Sequence, residues 1–361
     1  MGRGVRTVML LRRAMVAVGC VAVTVLGSAV PAQAHPPGIQ VAVDYRTVVT
    51  GIVPALTGVR ARYVADGSRL ELRNDSGRTV EVLGYQGEPM LQVRPDGVWQ
   101  NIRAPSLYVD SLGAPVNPEG DPRAAPQWQQ ISTRPLARWQ DHRAWWHGSP
   151  PQQVQADPHR VQRVLNWQVP VRASGTAAQI SGTLDWVPPP RPGRWWTAVF
   201  VLAVAVAALG LAAPISGRTA VLVRAGLGGV AVAVGVATAG YPLLVIAANV
   251  EPRAGSVAAA VASQLLPVLA GLALVGCAGL VWAGRQIADF AVATLGGCAA
   301  LVTTGTAAVF AHPVAPIAGD GWWARLLHVV VFGGCIGLVA AGVLRIRRSS
   351  ARPASLAASA S

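Results

Sequence analysis

Hydrophobic and polar positions divide the chain into a short apolar start, a long alternating middle and an apolar remainder. Between residues 35 and 187, apolar and polar side chains alternate in short runs at 59–64, 69–74, 78–85, 90–94, 98–103 and 179–187. A strand places successive side chains on opposite faces, so this alternation predicts half-buried strands. Turn sequences separate the runs, among them Ala65-Asp66-Gly67, Asn74-Asp75-Ser76-Gly77, Gln86-Gly87-Glu88-Pro89 and Asp96-Gly97. Hairpin-linked strands at this spacing predict an all-β sandwich or barrel. The Pro-rich stretch 104–126 interrupts the pattern and reads as a surface loop.

Residues 188–194, with Pro188-Pro189-Pro190-Arg191-Pro192, read as a stiff linker. Beyond it, uncharged windows run at 195–217, 225–250, 254–284, 290–319 and 326–344. Each approaches the roughly 20 residues that a helix needs to cross the hydrocarbon of a bilayer. They predict an α-helical membrane domain of five spans over 195–345 and a cytoplasmic tail over 346–361. Small residues at four-residue spacing, Ala225, Gly229, Ala233 and Ala237 on the second helix and Gly296, Ala300, Thr304 and Ala308 on the fourth, predict faces turned into the bundle.

Residues 1–34 read as a signal peptide: arginines at 3, 6, 12 and 13, an apolar core, and an Ala32-Gln33-Ala34 cleavage site. Arg12-Arg13 lacks the usual flanks of a twin-arginine signal. Removal of this segment starts the mature chain outside at His35, and five crossings then end it in the cytoplasm. Arginines 218, 224, 285, 345, 347, 348 and 352 fall on the predicted cytoplasmic side, whereas only Arg253 and Arg325 flank outer loops, in keeping with the positive-inside rule. Trp195-Trp196 and Trp322-Trp323 fit anchors at the outer interface.

Composition sharpens this picture. The chain is 52% hydrophobic and 13% charged, about half the charge of an ordinary soluble domain. The same figures exclude a disordered chain. The net charge of +14 is carried entirely by arginine, scattered without a basic helix or basic–aromatic alternation, which argues against nucleic acid as a partner. Of four cysteines, Cys20, Cys277, Cys298 and Cys335, none lies in the alternating region, so no disulfide framework or zinc spacing is expected there; the last three read as buried packing residues.

Candidate chemistry concentrates at Trp139-Gln140-Asp141-His142-Arg143-Ala144-Trp145-Trp146-His147. His142 and His147 with Asp141 offer nitrogen and oxygen ligands suited to copper or zinc. The favoured reading of the same residues is a packed interaction patch of Trp139, Trp145 and Trp146 beside Arg143, in which Asp141 pairs with a nearby arginine and His142 satisfies a buried backbone group. A free N-terminal His35 would chelate a metal through its amine and ring, and Pro36 has no amide proton to compete. His312 continues the small-residue row of the fourth helix and is expected to face protein. His328 lies near the outer end of the fifth. Both are candidate metal ligands, or neutral histidines bonded to backbone carbonyls. No serine or cysteine nucleophile motif, phosphate loop or carboxylate pair is present, so no catalytic residue is assigned.

Asp44-Tyr45-Arg46-Thr47-Val48-Val49-Thr50, Leu70-Glu71-Leu72-Arg73-Asn74, Gly84-Tyr85-Gln86-Gly87-Glu88-Pro89 and the Trp139…Asp141-His142-Arg143 cluster resemble a family of actinobacterial membrane proteins without an assigned biochemical activity. The resemblance covers nearly the whole chain and implies a signal peptide, a β-rich exported domain and C-terminal spans. That family's pattern has histidines where this chain has Gln140 and Trp145, which weakens a metal site carried over from it. His35 and Trp323-Ala324-Arg325-Leu326-Leu327-His328 echo copper-resistance proteins of the CopC and CopD type, in which an N-terminal histidine and outer-face histidines handle copper. The resulting expectation is a non-enzymatic binding or interaction protein in the cell membrane, with the bilayer and other envelope proteins as partners. Its alternative is copper binding, sensing or transport.

Overall fold

The computed structural model describes residues 42–64, 69–109, 120–146, 148–211, 217–250, 254–319 and 321–358. Arg12-Arg13, Cys20, His35 and His147 lie outside the described residues.

Ten strands are described: β1 (Tyr45–Val53), β2 (Val59–Tyr63), β3 (Leu70–Asn74), β4 (Val80–Leu83), β5 (Pro89–Arg94), β6 (Gly97–Asn101), β7 (Trp128–Ser132), β8 (Leu136–Trp139), β9 (Gln162–Ala173) and β10 (Thr176–Trp186). They form a seven-stranded sheet, β1-β10-β9-β4-β5-β6-β7, and a three-stranded sheet, β2-β3-β8. Alternation explains the burial: Leu70 and Leu72 of β3 and Val80 and Val82 of β4 are fully buried, whereas Arg73 points outward. One apolar cluster draws on both sheets, including Leu70, Leu72 and Trp139 from one and Val93, Trp167 and Ile180 from the other. Asn74 ties the sheets together, its Nδ2 donating to Arg78 O at 2.6 Å and to Val93 O at 2.7 Å. The β9–β10 hairpin turns at Ser174 and Gly175, both at positive φ (48° and 84°). Such a turn matches the natural twist of paired strands.

Four strands, β1, β7, β8 and β9, have no counterpart in the alternating runs. Strand β9 contains Pro170, which has no N–H to donate; it lies just beyond the last β9 residue paired with β4, Val171. The 104–126 stretch also differs from a plain surface loop. It begins with a helical turn, α1 (Pro105–Val109), whose Ser106 is buried, and Ala104 before it is fully buried. Ser106 is held by buried Glu88, to which its backbone N–H donates at 3.3 Å.

After the short helix α2 (Gln152–Ala156) the helical region comprises α3 (Pro192–Leu211), α4 (Arg218–Asn249), α5 (Ala254–Ser263), α6 (Leu265–Trp282), α7 (Ala288–Val302) and α8 (Gly321–Ala358). Among the described residues, four helices are long and apolar enough to cross a membrane. The third apolar window is broken at Gln264 into α5 and α6. In the fourth, α7 has 15 residues, about 22 Å at 1.5 Å per residue, which is short of the ~30 Å hydrocarbon core. It continues as a 3₁₀ helix, Thr304–Phe310, after a 64° bend, and the count reaches five if this bent pair is one span.

Helix packing corrects the expected small-residue row on α4. Ala225, Gly229 and Ala233 are exposed on the helix surface, and of that row only Ala237 is buried. The packed face is displaced by one or two residues, to Gly228, Ala231, Gly235 and Ala239. Gly235 and Gly271 of α6 form a mutual close approach, in which a Cβ on Gly271 would lie 2.4 Å from Gly235 O. Cys277 and Cys335 are buried as expected, but Cys298 is exposed.

The β-rich and helical regions meet through a short backbone bridge. Val43 and Val314 exchange N–H···O bonds of 2.9 and 3.0 Å. Next to it His312 Nδ1 lies 2.8 Å from Asp44 Oδ1. The 311–319 loop is fastened to the helices by buried Arg325, which donates from Nε to Val309 O at 3.0 Å and from Nη2 to Pro313 O at 2.8 Å. Buried Asn249 adds a 2.8 Å bond from Nδ2 to Pro316 O.

Candidate functional site

The Trp-x-Asp-His-Arg cluster folds at the end of β8. Asp141 is fully buried and caps the single 3₁₀ turn His142–Ala144. Its carboxylate accepts from Trp139 Nε1 at 3.0 Å, Arg143 N at 3.1 Å, Arg143 Nε at 2.8 Å and Arg143 Nη2 at 2.7 Å. Arg143 also donates to Leu83 O at 3.2 Å and stacks over the Tyr85 ring at 4.8 Å. Tyr85 Oη accepts from His142 N at 2.9 Å, its ring edge-on to the imidazole. Trp146 packs against the core and donates from Nε1 to Ser149 O at 2.8 Å; Trp145 caps the turn through its backbone N–H. Asp141 gathers Trp139 and Arg143 within the cluster, and Arg143 and His142 join it to Leu83 and Tyr85 at the β4–β5 turn. Asp141 therefore has its lone pairs committed to the fold, and the cluster is a structural knot.

The described histidines are dispersed. His142 sits at this knot and His312 at Asp44, half-exposed, in the 311–319 loop. The small-residue row expected to carry His312 into the bundle ends when α7 stops at Val302. His328 is buried on the second turn of α8. Its Nδ1 lies 2.7 Å from Ala324 O, its Nε2 2.8 Å from Thr306 Oγ1, and the Tyr241 ring meets it edge-on at 4.4 Å. A Nδ1–H tautomer donates to the Ala324 carbonyl, and Nε2 faces the Thr306 hydroxyl, which also donates to Thr303 O at 2.7 Å. Among the described residues no group of three or more His, Cys, Asp or Glu could hold a metal ion. The ligand sets built on His35 and His147 lie outside the described residues.

A concave site appears elsewhere, where no sequence motif marks it. Strand β1 is the end strand of the larger sheet and β2 the end strand of the smaller one. Between them opens a groove of about 670 Å³. Val49, Ile52 and Leu56 form its apolar side, and Arg60, Arg62, Glu71 and Arg73 its charged side. Strand register creates the charged side. Arg62 pairs with Glu71, which pairs with Arg138, so three side chains of one face line up across β2, β3 and β8. In the adjacent row Arg60 lies opposite Arg73.

Glu71 is held from both sides. Arg62 Nε donates to its Oε1 at 2.6 Å and Arg138 Nε to its Oε2 at 2.7 Å. Burial alone would raise the carboxyl pKa, but the two hydrogen bonds and the two positive charges outweigh it and hold Glu71 below its ordinary value. The same bond to Glu71 raises the pKa of Arg62. Asp75 serves the second row, accepting from Arg73 Nε at 2.9 Å and lying 3.5 Å from Arg60 Nη2. The signal was present in Val59-Arg60-Ala61-Arg62 and Leu70-Glu71-Leu72-Arg73, where alternation places both charges of each run on one face. What pairs those faces, and what stands across from them, is a matter of register.

Comparison of the chain with protein-family models, with curated proteins and with solved structures returns no match.

Proposed function

We propose that the chain is a membrane-anchored binding protein without catalytic activity, whose β-sandwich domain lies outside the cell and binds its ligand in the β1–β2 groove. The observation that carries this reading is the groove itself: a concavity of about 670 Å³ with one apolar and one charged side, on strands held by both sheets. Its volume lies within the range of small-ligand clefts. Support for a non-catalytic role comes from Glu71, the carboxylate among the described lining residues. Both of its oxygens are tied to guanidinium groups, so it stays ionised and is a poor proton donor or acceptor near neutral pH.

The membrane arrangement in this proposal has five spans, with the bent α7–3₁₀ pair counted as the fourth and the C-terminus in the cytoplasm. Its support is the arginine distribution, with Arg345, Arg347 and Arg348 at one end of α8 and Trp322-Trp323 at the other. The bilayer is then the permanent partner, and the bridge at Val43 and Val314 seats the domain on the helices.

Gly51 supplies the test. It lines the groove, and a Cβ built on it meets nothing within 4 Å. Gly51→Phe should therefore fill the groove without disturbing the fold. The full chain in lipid nanodiscs would be screened by thermal shift against soluble carboxylates, phosphates, sugars and amines. A stabilising compound whose effect disappears in Gly51→Phe supports the proposal. An absence of hits, or hits that survive in Gly51→Phe, overturns it.

A further inference from the structure

We infer that the β1–β2 groove takes an organic anion, with a carboxylate or phosphate group seated on Arg60, Arg62 and Arg73 and an apolar body against Val49, Ile52 and Leu56. This rests on the binding reading above and adds the chemistry of the ligand.

The first argument is charge balance. The outward face of β2, β3 and β8 carries four guanidinium groups, on Arg60, Arg62, Arg73 and Arg138, which share the carboxylates of Glu71 and Asp75. Among the described residues, two positive charges are left over on this small sheet. Arginine keeps its charge at any pH a cell meets, so this excess cannot be relieved by loss of a proton.

The second argument is register. Arg60 and Arg73 are direct cross-strand partners. Like charges directly opposite each other destabilise a sheet. Here a single shared carboxylate, Asp75, stands against both. An anion bridging Arg60 and Arg73 would convert that repulsion into two charge-assisted hydrogen bonds.

The third argument is donor supply. The carboxylate contacts use Nε of Arg62 and Nε of Arg73, and no bond from their terminal nitrogens occurs among the described residues. These side chains are also reachable, being 70% and 58% exposed, with Arg60 at 80%. The planar, forked guanidinium matches carboxylate and phosphate oxygens in pairs. Beside them, Arg138 Nη1 is buried without an acceptor among the described residues. The apolar side opposite sets the rest of the ligand: Ile52 and Leu56 offer dispersion contacts and no hydrogen bonds, so a compact inorganic ion would use only half of the groove.

The test is calorimetric titration of the full chain, in phosphatidylcholine nanodiscs, with four water-soluble probes sharing an aromatic body. These are 4-phenylbutyrate and phenyl phosphate as anions, 4-phenylbutyramide as the neutral form, and 4-phenylbutylamine as the cation. At least one anion should bind at least ten-fold more tightly than the amide, and the amine should not bind. The stronger of the two anions assigns the head group. Raised salt should weaken binding. Arg60→Gln/Arg62→Gln should lower anion affinity at least ten-fold, and Arg60→Lys/Arg62→Lys, which keeps the charges, should recover part of it. Circular dichroism of both variants checks that the fold is retained.

Equal binding of anion and amide, or an Arg60→Gln/Arg62→Gln variant that binds like the parent, overturns the anion assignment. If Gly51→Phe still abolishes binding in that case, the binding reading stands alone. If no probe binds the parent chain, the anion assignment falls, and the wider thermal-shift screen decides the binding reading independently.

Discussion

Replacement of Asp141 by alanine removes the centre of the knot at the end of β8. The side chain is fully buried and accepts four hydrogen bonds, three of them from Arg143, whose side chain is only 19% exposed. In Asp141→Ala the guanidinium stays largely buried with no counter-charge, the Trp139 indole N–H loses its acceptor, and the 3₁₀ turn loses its cap. Removing one partner of a buried ion pair costs about 3–5 kcal/mol, and loss of a cap contributes about 1 kcal/mol within that range. A domain of this size has a total stability of about 5–15 kcal/mol, so the variant should retain a folded but clearly weakened β-domain. Urea unfolding of the full chain in detergent, followed by tryptophan fluorescence, measures the loss. The double variant Asp141→Ala/Arg143→Met tests the cause, because it also removes the stranded charge. It should be more stable than the sum of the two single losses predicts. A loss below about 1 kcal/mol in Asp141→Ala, or strict additivity in the double variant, would refute the view that this cluster exists to hold the fold.

Glu71 makes the acid stability of the β-domain depend on the groove. Its pKa is depressed in the folded chain, so its contribution is fully present above the unfolded value of about 4.3 and is lost as pH falls from there through the folded value. The stability gap between the parent chain and Glu71→Gln should narrow over that acid window, and a gap independent of pH would contradict the assignment. The bridge between the two regions can be trapped covalently. Val43 and Val314 exchange both backbone bonds, a pairing that sets their Cα atoms about 5.5 Å apart, within disulfide range. Val43→Cys/Val314→Cys, in a chain whose native cysteines are replaced by alanine, should cross-link on mild oxidation, as seen by altered mobility on non-reducing gels after proteolytic cleavage between the regions. Failure to cross-link would count against this contact.

The local pattern alone was enough to assign the two halves of the molecule, because the signals involved are short-range. Alternation in 59–64 and 69–74 reports burial on one face of a strand whatever that strand pairs with, and long uncharged windows report helices whose exposed faces tolerate no water. Strand β9 was not among the alternating runs, and its Pro170 is accommodated because the pairing with β4 ends at Val171. The packed face of α4 escaped because small residues recur on more than one stripe of that helix. The sequence offers Ala225 and Gly229 as readily as Gly228 and Gly235, and only the neighbours Trp282 and Gly271 select between them.

The candidate site divides in the same way. That Asp141 would pair with a nearby arginine is legible in the sequence, and the structure identifies it as Arg143; the sharing of one strand face by Arg60 and Arg62 is legible from their spacing. Dense clusters of chemically versatile side chains draw attention in a sequence, yet the contacts of Asp141, Trp139 and Arg143 are spent on the fold. The groove could not be read from any segment. It requires β1 and β2 to end two different sheets, Glu71 to fall between Arg62 and Arg138, and Arg60 to face Arg73, and each of these is a long-range register. A one-residue slip of β2 against β3 would send the same arginines to the other face. The chain by itself thus determined which side chains share a face and which segments avoid water, since both follow from backbone geometry and solvation along a few residues. Tertiary structure alone decided which faces meet, and therefore where four arginines would crowd around two carboxylates beside an apolar wall.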